Sequence, residues 1–290
     1  PFTEVVPKPL LPILGVPCIE FALTQLQANG FKKAVINSHA HADQMDNYVA
    51  SQPVPGLELA ISSEREKLLG SAGGFRHALP QLGKQAFLGI NADVISLVSI
   101  PDLVKRHEVL RKERKVSMTL ALLGGEWLLS QSGKYRKIDV NESTGIVQGY
   151  SDKLLQHTPY YCGVGIFEPE AFEHLPDGEA TEFVPQVLEP LIKKKKVGFM
   201  YTDSLWMDIG SPELWFRAHF DLYQRFLNQA LPEFWSDRIK AQIGTCKISL
   251  KDKNVDYLPL QLSTGPNQAA SPLGKNSIRL QNIIHAIPNL

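Results

Sequence analysis

Apolar residues recur at Ile19, Leu23 and Leu26 within residues 17–29, the spacing of one helical face, and Gly30 supplies a left-handed stop. The apolar run Ala34-Val35-Ile36 follows and ends at Asn37, which predicts a strand. The same pattern continues with a helix over 42–49, a strand over 57–61, a short helix over 73–79 and a strand over 86–90. A helix over 102–114 leads into a strand over 116–122. Strands alternating with helices at this spacing predict βαβ units, hence an α/β, Rossmann-like fold with a mainly parallel mixed sheet. Right-handed crossovers place helices on both faces of such a sheet.

The pattern changes near residue 135. Two alternating stretches, 137–140 and 146–150, flank the polar turn Asn141-Glu142-Ser143-Thr144-Gly145 and predict an antiparallel hairpin. A strand is predicted over 160–167, a helix over 184–192, a strand over 197–201 and a strongly apolar helix over 212–227. The helix over 184–192 ends in Lys193-Lys194-Lys195-Lys196, read as a solvated terminus whose cations oppose the negative end of the helix dipole. Beyond Leu231 the periodicity is poor, and 264–277 is rich in Gly, Pro, Ser and Asn. The chain therefore divides into a main domain, 1–230, and an irregular C-terminal extension, 231–290, whose apolar stretch Asn282-Ile283-Ile284-His285-Ala286-Ile287 is expected to cover a contact in a homo-oligomer.

A chain of 290 residues can bury a sizeable core, and 30 Lys+Arg against 30 Asp+Glu leaves no formal net charge. That balance removes the electrostatic argument for a nucleic-acid or acidic-membrane partner. Cys18, Cys162 and Cys246 are few and far apart, in no metal-ligand spacing, which favours a reducing compartment. No apolar run approaches membrane-spanning length and no signal peptide stands at the start, so a soluble, cytoplasmic protein is expected.

In an open α/β sheet, ligands bind beyond the carboxyl ends of the strands. Asn91-Ala92-Asp93 follows the strand over 86–90, and a carboxylate there suits a hard divalent cation. Leu205-Trp206-Met207-Asp208-Ile209-Gly210-Ser211-Pro212 places a second acid at an apolar strand end, ahead of a Ser-Pro helix start. Each Asp alone reads equally as a turn or helix cap. Leu69-Gly70-Ser71-Ala72-Gly73-Gly74 opens a helix and lets backbone N–H groups approach a ligand. Lys8 is fixed between Pro7 and Pro9, and Lys153 follows the hairpin.

Together these segments resemble the sugar-1-phosphate nucleotidylyltransferase family. Pro7-Lys8-Pro9-Leu10-Leu11-Pro12 is similar to its P-K-x-L-L-P segment, and Glu64-Arg65-Glu66-Lys67-Leu68-Leu69-Gly70-Ser71-Ala72-Gly73-Gly74 to its E-x-x-x-L-L-G-T-A-G-G. Asn91-Ala92-Asp93 resembles N-G-D, Asp152-Lys153 resembles E-K, and Trp206-Met207-Asp208-Ile209-Gly210-Ser211-Pro212 resembles W-x-D-x-G-T-P. The compact bacterial uridylyltransferases for N-acetylmuramate phosphate and the mannose-1-phosphate guanylyltransferases are the most similar members.

The resemblance implies that a sugar 1-phosphate attacks the α-phosphorus of a nucleoside triphosphate, giving a nucleotide-sugar and pyrophosphate. It implies that Asp93 and Asp208 hold Mg2+ and that Lys8 contacts the phosphates. Glu64, Gly70, Gly73 and Asn91 would serve the nucleotide, and Asp152, Lys153 and Gly163 the sugar phosphate. Two polyanions must meet, so cations are needed to offset their repulsion.

Departures from the family pattern are Ala92 for Gly, Ser71 for Thr, Asp152 for Glu, and Leu154 where Pro is common. The family's G-x-G-T-R-type loop is expected a few residues before Pro1, with the strand that precedes it. Two rival readings are a catalytically silent regulatory subunit that binds nucleotide-sugars, and a metal-dependent glycosyltransferase.

Overall fold

In a computed structural model, the structure describes residues 2–124, 135, 137–151 and 159–243. The chain opens with a 3-10 turn at Lys8–Leu10 and a tight hairpin of β1 (Pro12–Ile13) and β2 (Val16–Pro17). Leu14 and Gly15 turn it with φ of 52° and 82°. No strand was expected there; two-residue strands are too short to show a period.

Helix α1 (Cys18–Ala28), β3 (Lys33–Ser38), α2 (Ala42–Ala50) and β4 (Glu58–Ser63) follow as predicted, and β3 and β4 pair in parallel. Then come α3 (Gly70–Leu82), β5 (Phe87–Ile90), β6 (Val94–Ser96), α4 (Ile100–Arg114) and β7 (Met118–Leu123). The predicted hairpin is β8 (Lys137–Asn141) and β9 (Ile146–Ser151), and β10 is Tyr160–Phe167. The helix expected over 184–192 begins as a π turn, Val184–Leu188, and becomes α5 (Glu189–Lys193). Pro190 has no N–H to give to the Gln186 carbonyl, which lies instead 3.1 Å from His174 Nε2. Strands β11 (Val197–Thr202) and β12 (Trp206–Asp208) and helices α6 (Pro212–Leu227) and α7 (Glu233–Ile243) complete the described chain.

The main sheet is six-stranded in the order β5-β10-β7-β11-β9-β8. Strands β7 and β11 are parallel, while β10 runs antiparallel between β5 and β7. The fold is α/β and mixed, but among the described strands only β3/β4 and β7/β11 pair in parallel, fewer than the strand–helix alternation predicts. The inserted β10 and the hairpin account for the difference. Because β10 opposes both β5 and β7, the carboxyl ends of β5, β7 and β11 share one edge of the sheet.

Alternation along β7 builds the two faces. Met118, Leu120 and Leu122 pack with Leu79 of α3, Ile192 of α5 and the cluster Phe87, Phe167 and Phe172. Ala121 and Leu123 face the other way, toward Leu103 of α4, Val164 and Ile166. Phe75 of α3 stacks on Phe172 at 4.9 Å.

The irregular structure expected after Leu231 is corrected over residues 233–243. Leu231, Trp235 and Ile239 form a narrow stripe in a third cluster with Phe21 of α1 and Val16 of β2. Trp235 is fully buried, and its Nε1–H donates to the Phe21 carbonyl at 2.8 Å. Phe234, Trp235 and Ile239, set among polar residues, give little periodic signal. Among the described residues no helix is long and apolar enough to cross a membrane; the Asn282-to-Ile287 stretch lies outside them.

Candidate active site

Asp93 and Asp208 are separated by 115 positions in the chain and are brought together by one short pairing. Strand β12 runs antiparallel to β6 with Asp208 opposite Val94, and the Ile209 N–H donates to the Asp93 carbonyl at 3.3 Å. Asp208 therefore ends β12 beside Asp93, which stands just before β6, at the carboxyl-side edge reached through Asn91 from β5. Beneath them sits Cys18 at the start of α1. Burial first, then the negative charge of Asp93 and that of Asp208, push its thiol far up, while Lys8 opposes them. All three predicted catalytic residues thus act through their charges on one buried thiol.

Lys8 reaches across from its Pro-bounded turn, and its Nζ lies 2.5 Å from Asp93 Oδ2. Both side chains are about one-third exposed or less, at 29% and 33%. Asp208 accepts from the Tyr135 hydroxyl at 2.5 Å. Burial and this carboxylate together raise the Tyr135 phenol well above its ordinary range. Tyr135 stacks on Tyr160 at 5.0 Å and 14°, and both rings meet Trp206 edge-on at 5.5 Å. Trp206 Nε1–H is fixed on the Cys162 carbonyl at 2.7 Å, so the strand carrying Asp208 is tied to β10. Gly210 is required beside it: a Cβ there would stand 2.9 Å from each Asp208 carboxylate oxygen.

Asn91 and Gly163 also meet. The Asn91 N–H donates to the Gly163 carbonyl at 2.9 Å, and Gly163 has φ of 81°. A Cβ at Gly163 would lie 2.8 Å from the Asn91 amide. Asp152 and Lys153 lie outside the described residues.

Residues 1–225 match the nucleotidyl transferase family. The chain belongs to that family. It is 28% identical over 221 residues to an N-acetylmuramate alpha-1-phosphate uridylyltransferase of Neisseria meningitidis, covering 73% of this chain and 87% of that protein. It is 28% identical over 182 residues to a mannose-1-phosphate guanylyltransferase regulatory subunit alpha-A of Danio rerio, covering 60% and 42%. The crystal structure of HddC from Yersinia pseudotuberculosis superposes with a TM-score of 0.64 at 17% identity, over 75% of this chain and 91% of that one, and so shares the fold.

The remaining residues expected in this nucleotidyl transferase's nucleotide site are tied up in its frame. Glu64 is buried; its Oε2 accepts from the Leu69 N–H at 2.9 Å and its Oε1 from Asn37 Nδ2 at 2.9 Å. It thereby holds β3, the loop 64–69 and the start of α3 together. Gly70 and Gly73 allow the close approach of 179–182, since a Cβ would stand 2.7 Å from the Thr181 carbonyl oxygen at Gly70 and 2.6 Å from that of Glu179 at Gly73. Two N–H groups expected to face a ligand, those of Ala72 and Gly73, instead donate to Thr181 O at 2.9 and 3.2 Å.

Sequence reasoning did not single out Tyr135, Tyr160 or Cys18. Tyr135 precedes the hairpin by two residues and carries no motif signal in a single sequence; Cys18 reads as an ordinary buried thiol. Among the described residues no cluster of three or more His, Cys, Asp or Glu could hold a metal. Two carboxylates nevertheless fit a magnesium ion, which takes one or two protein carboxylates and completes its shell with phosphate oxygens and water.

Proposed function

We propose that this nucleotidyl transferase joins a sugar 1-phosphate to a nucleoside triphosphate, releasing pyrophosphate. The reading rests on the β6–β12 pairing, which sets Asp93 beside Asp208 with Lys8 on Asp93. Asp93 and Asp208 would hold Mg2+, which when bound supplies positive charge to the α-phosphate. Lys8 exchanges its carboxylate partner for phosphate oxygens, and Tyr135 gives up its hydrogen bond to Asp208. Asn91 and Gly163, held face to face, line the cleft between nucleotide and sugar, with Glu64, Gly70 and Gly73 shaping its nucleotide side. Asp152 and Lys153 would bind the sugar phosphate. A sugar-phosphate oxygen then forms the bond to α-phosphorus as the bond to the pyrophosphate oxygen breaks, and the leaving group takes the electron pair.

The test is pyrophosphate release from a panel of nucleoside triphosphates and sugar 1-phosphates, with magnesium and with EDTA. Release that needs both substrates and magnesium supports the reading; none with any pair removes it. A second reading, a regulatory subunit that binds nucleotide-sugars without turnover, is supported by the name of the Danio rerio relative. Ligand-induced thermal stabilisation without pyrophosphate release is its signature.

A further inference from the structure

Two basic runs have no part in this chemistry: Lys193-Lys194-Lys195-Lys196, and Arg111-Lys112-Glu113-Arg114-Lys115 at the end of α4. The fold brings them together. Helix α4 ends at Arg114, and Lys115 turns the chain with φ of 58°. The Ser117 N–H donates to the Lys196 carbonyl at 2.8 Å, and Lys196 Nζ donates to the Lys115 carbonyl at 2.6 Å. Both runs lead into the parallel pair β7/β11, where Met118 stands opposite Val197. They therefore meet at the amino ends of those strands, the edge opposite the one that carries Asp93 and Asp208. Strand β7 is six residues long, so about 20 Å of sheet lies between the two edges.

The junction is hollow. An open basin of about 630 Å³ is lined by Glu108, Arg111, Lys112, Lys115, Glu170 and Lys196. Its floor is fixed by hydrogen bonds. Arg111 Nη1 donates to the Val116 carbonyl at 2.8 Å, and its two Nη groups grip Glu170 at 2.7 and 3.1 Å. The Ser117 hydroxyl donates to the same carboxylate at 2.9 Å. Arg111 Nε lies 3.1 Å from Glu168, which in turn lies 3.3 Å from the buried His107.

Glu170 is thus occupied by Arg111 and Ser117, whereas Lys112 and Lys115 are exposed, with no carboxylate partner among the described residues. The four cations of the basin exceed its two carboxylates by two, in a chain with no formal net charge. At a lone helix end such cations oppose the helix dipole. Gathered from two chain segments into one concavity they also repel one another, and a bound anion offsets that repulsion. An extended polyanion, such as a nucleic-acid strand or a lipid surface, would lay its charges against Glu108 and Glu170 as well.

We infer that this basin is a binding site for a small molecule carrying a phosphate dianion, separate from the active site. A phosphate group brings about 1.5 to 2 negative charges and three acceptor oxygens, matching the excess charge and the ammonium donors. The basin falls within the roughly 300–1,000 Å³ of small-molecule sites, which leaves room for an organic body behind the phosphate.

The test follows the backbone amide NMR shifts of Lys115, Val116, Ser117 and Lys196 in the full chain. Inorganic phosphate or glucose 6-phosphate is added at constant ionic strength; neither is a sugar 1-phosphate. Saturable shifts with a dissociation constant of about 1 mM or below are expected. Lys112→Met combined with Lys115→Met should weaken binding about tenfold or more, and the double arginine variant should keep it. Lys8→Met should leave the affinity at these amides unchanged. Similar affinities for the two probes support a site for the free anion, and tighter glucose 6-phosphate supports a phosphomonoester site. Absent or unsaturable shifts, shifts that chloride reproduces, undiminished binding in the methionine variant, or loss of binding in Lys8→Met overturn the inference. It is equally overturned if a single-stranded oligonucleotide or an anionic vesicle binds at these amides and neither probe displaces it.

Discussion

Lys8 and Asp93 hold each other at 2.5 Å, so the cation proposed to meet phosphate and the carboxylate proposed to hold metal neutralise one another in the free protein. Lys8→Met should therefore weaken binding of a nucleoside triphosphate while tightening binding of the free divalent cation. The second change is small, about two- to fivefold, because the pair is partly exposed and screened. Titration calorimetry with Mg2+ alone, then with the triphosphate, checks both signs; weaker binding of the free ion would contradict the arrangement.

Asp208→Asn keeps the size of the side chain and its acceptor oxygen for Tyr135 but removes the charge. Pyrophosphate release should fall by about 10²- to 10³-fold with the fold intact by circular dichroism. A variant with full turnover removes Asp208 from the metal site.

Gly210→Ala introduces a methyl group 2.9 Å from both Asp208 carboxylate oxygens. The carboxylate must turn aside, and a displacement near 1 Å costs about 10²-fold in rate. Gly210 does not need a left-handed backbone, so stability should change little. Activity retained at the wild-type level, measured beside an unchanged melting curve, would show that Asp208 need not stand where it does.

His219 gives the protein an acid-sensitive component. It is buried in α6, its Nδ1 lies 3.0 Å from the Trp215 carbonyl, and burial holds its pKa down to about 4 against an ordinary 6.5. The unfolded chain thus takes the proton more readily than the folded one. The stabilisation is complete above about pH 6.5 and is lost as the pH falls toward 4, by up to about 3 kcal/mol. Urea midpoints at pH 7, 6 and 5 measure it, and His219→Gln should flatten that part of the profile.

Trp235→Ala empties a fully buried site in α7 and removes its hydrogen bond to the Phe21 carbonyl. A cost of about 3–5 kcal/mol is expected, or roughly 10 °C in melting temperature. An unchanged Tm would mean that α7 is an ornament on the body of the protein.

The sequence made the helices α1 and α6 readable because each keeps a broad apolar face over two or more turns. Lys8, Asp93 and Asp208 were grouped only through the resemblance of their segments to a known family. Periodicity could not show what joins them, because β6 and β12 are three residues each. Strand direction was over-assigned to parallel because β10 enters the sheet between β5 and β7, a choice made by packing and not by local pattern. Tyr135 escaped notice for another reason: a tyrosine at the mouth of a hairpin looks solvated until the fold brings Tyr160 against it.

Cys18 and Cys162 are both sealed in the interior, and their thiols are held protonated by burial, Cys162 up to about 12. Alkylating reagents act on the thiolate and need access, so neither residue reacts while the chain stays closed. Mass-resolved labelling of Cys18 consequently times the opening of the floor beneath Asp93 and Asp208, and labelling of Cys162 times the opening of β10. The chain carries two built-in clocks for separate parts of its own breathing.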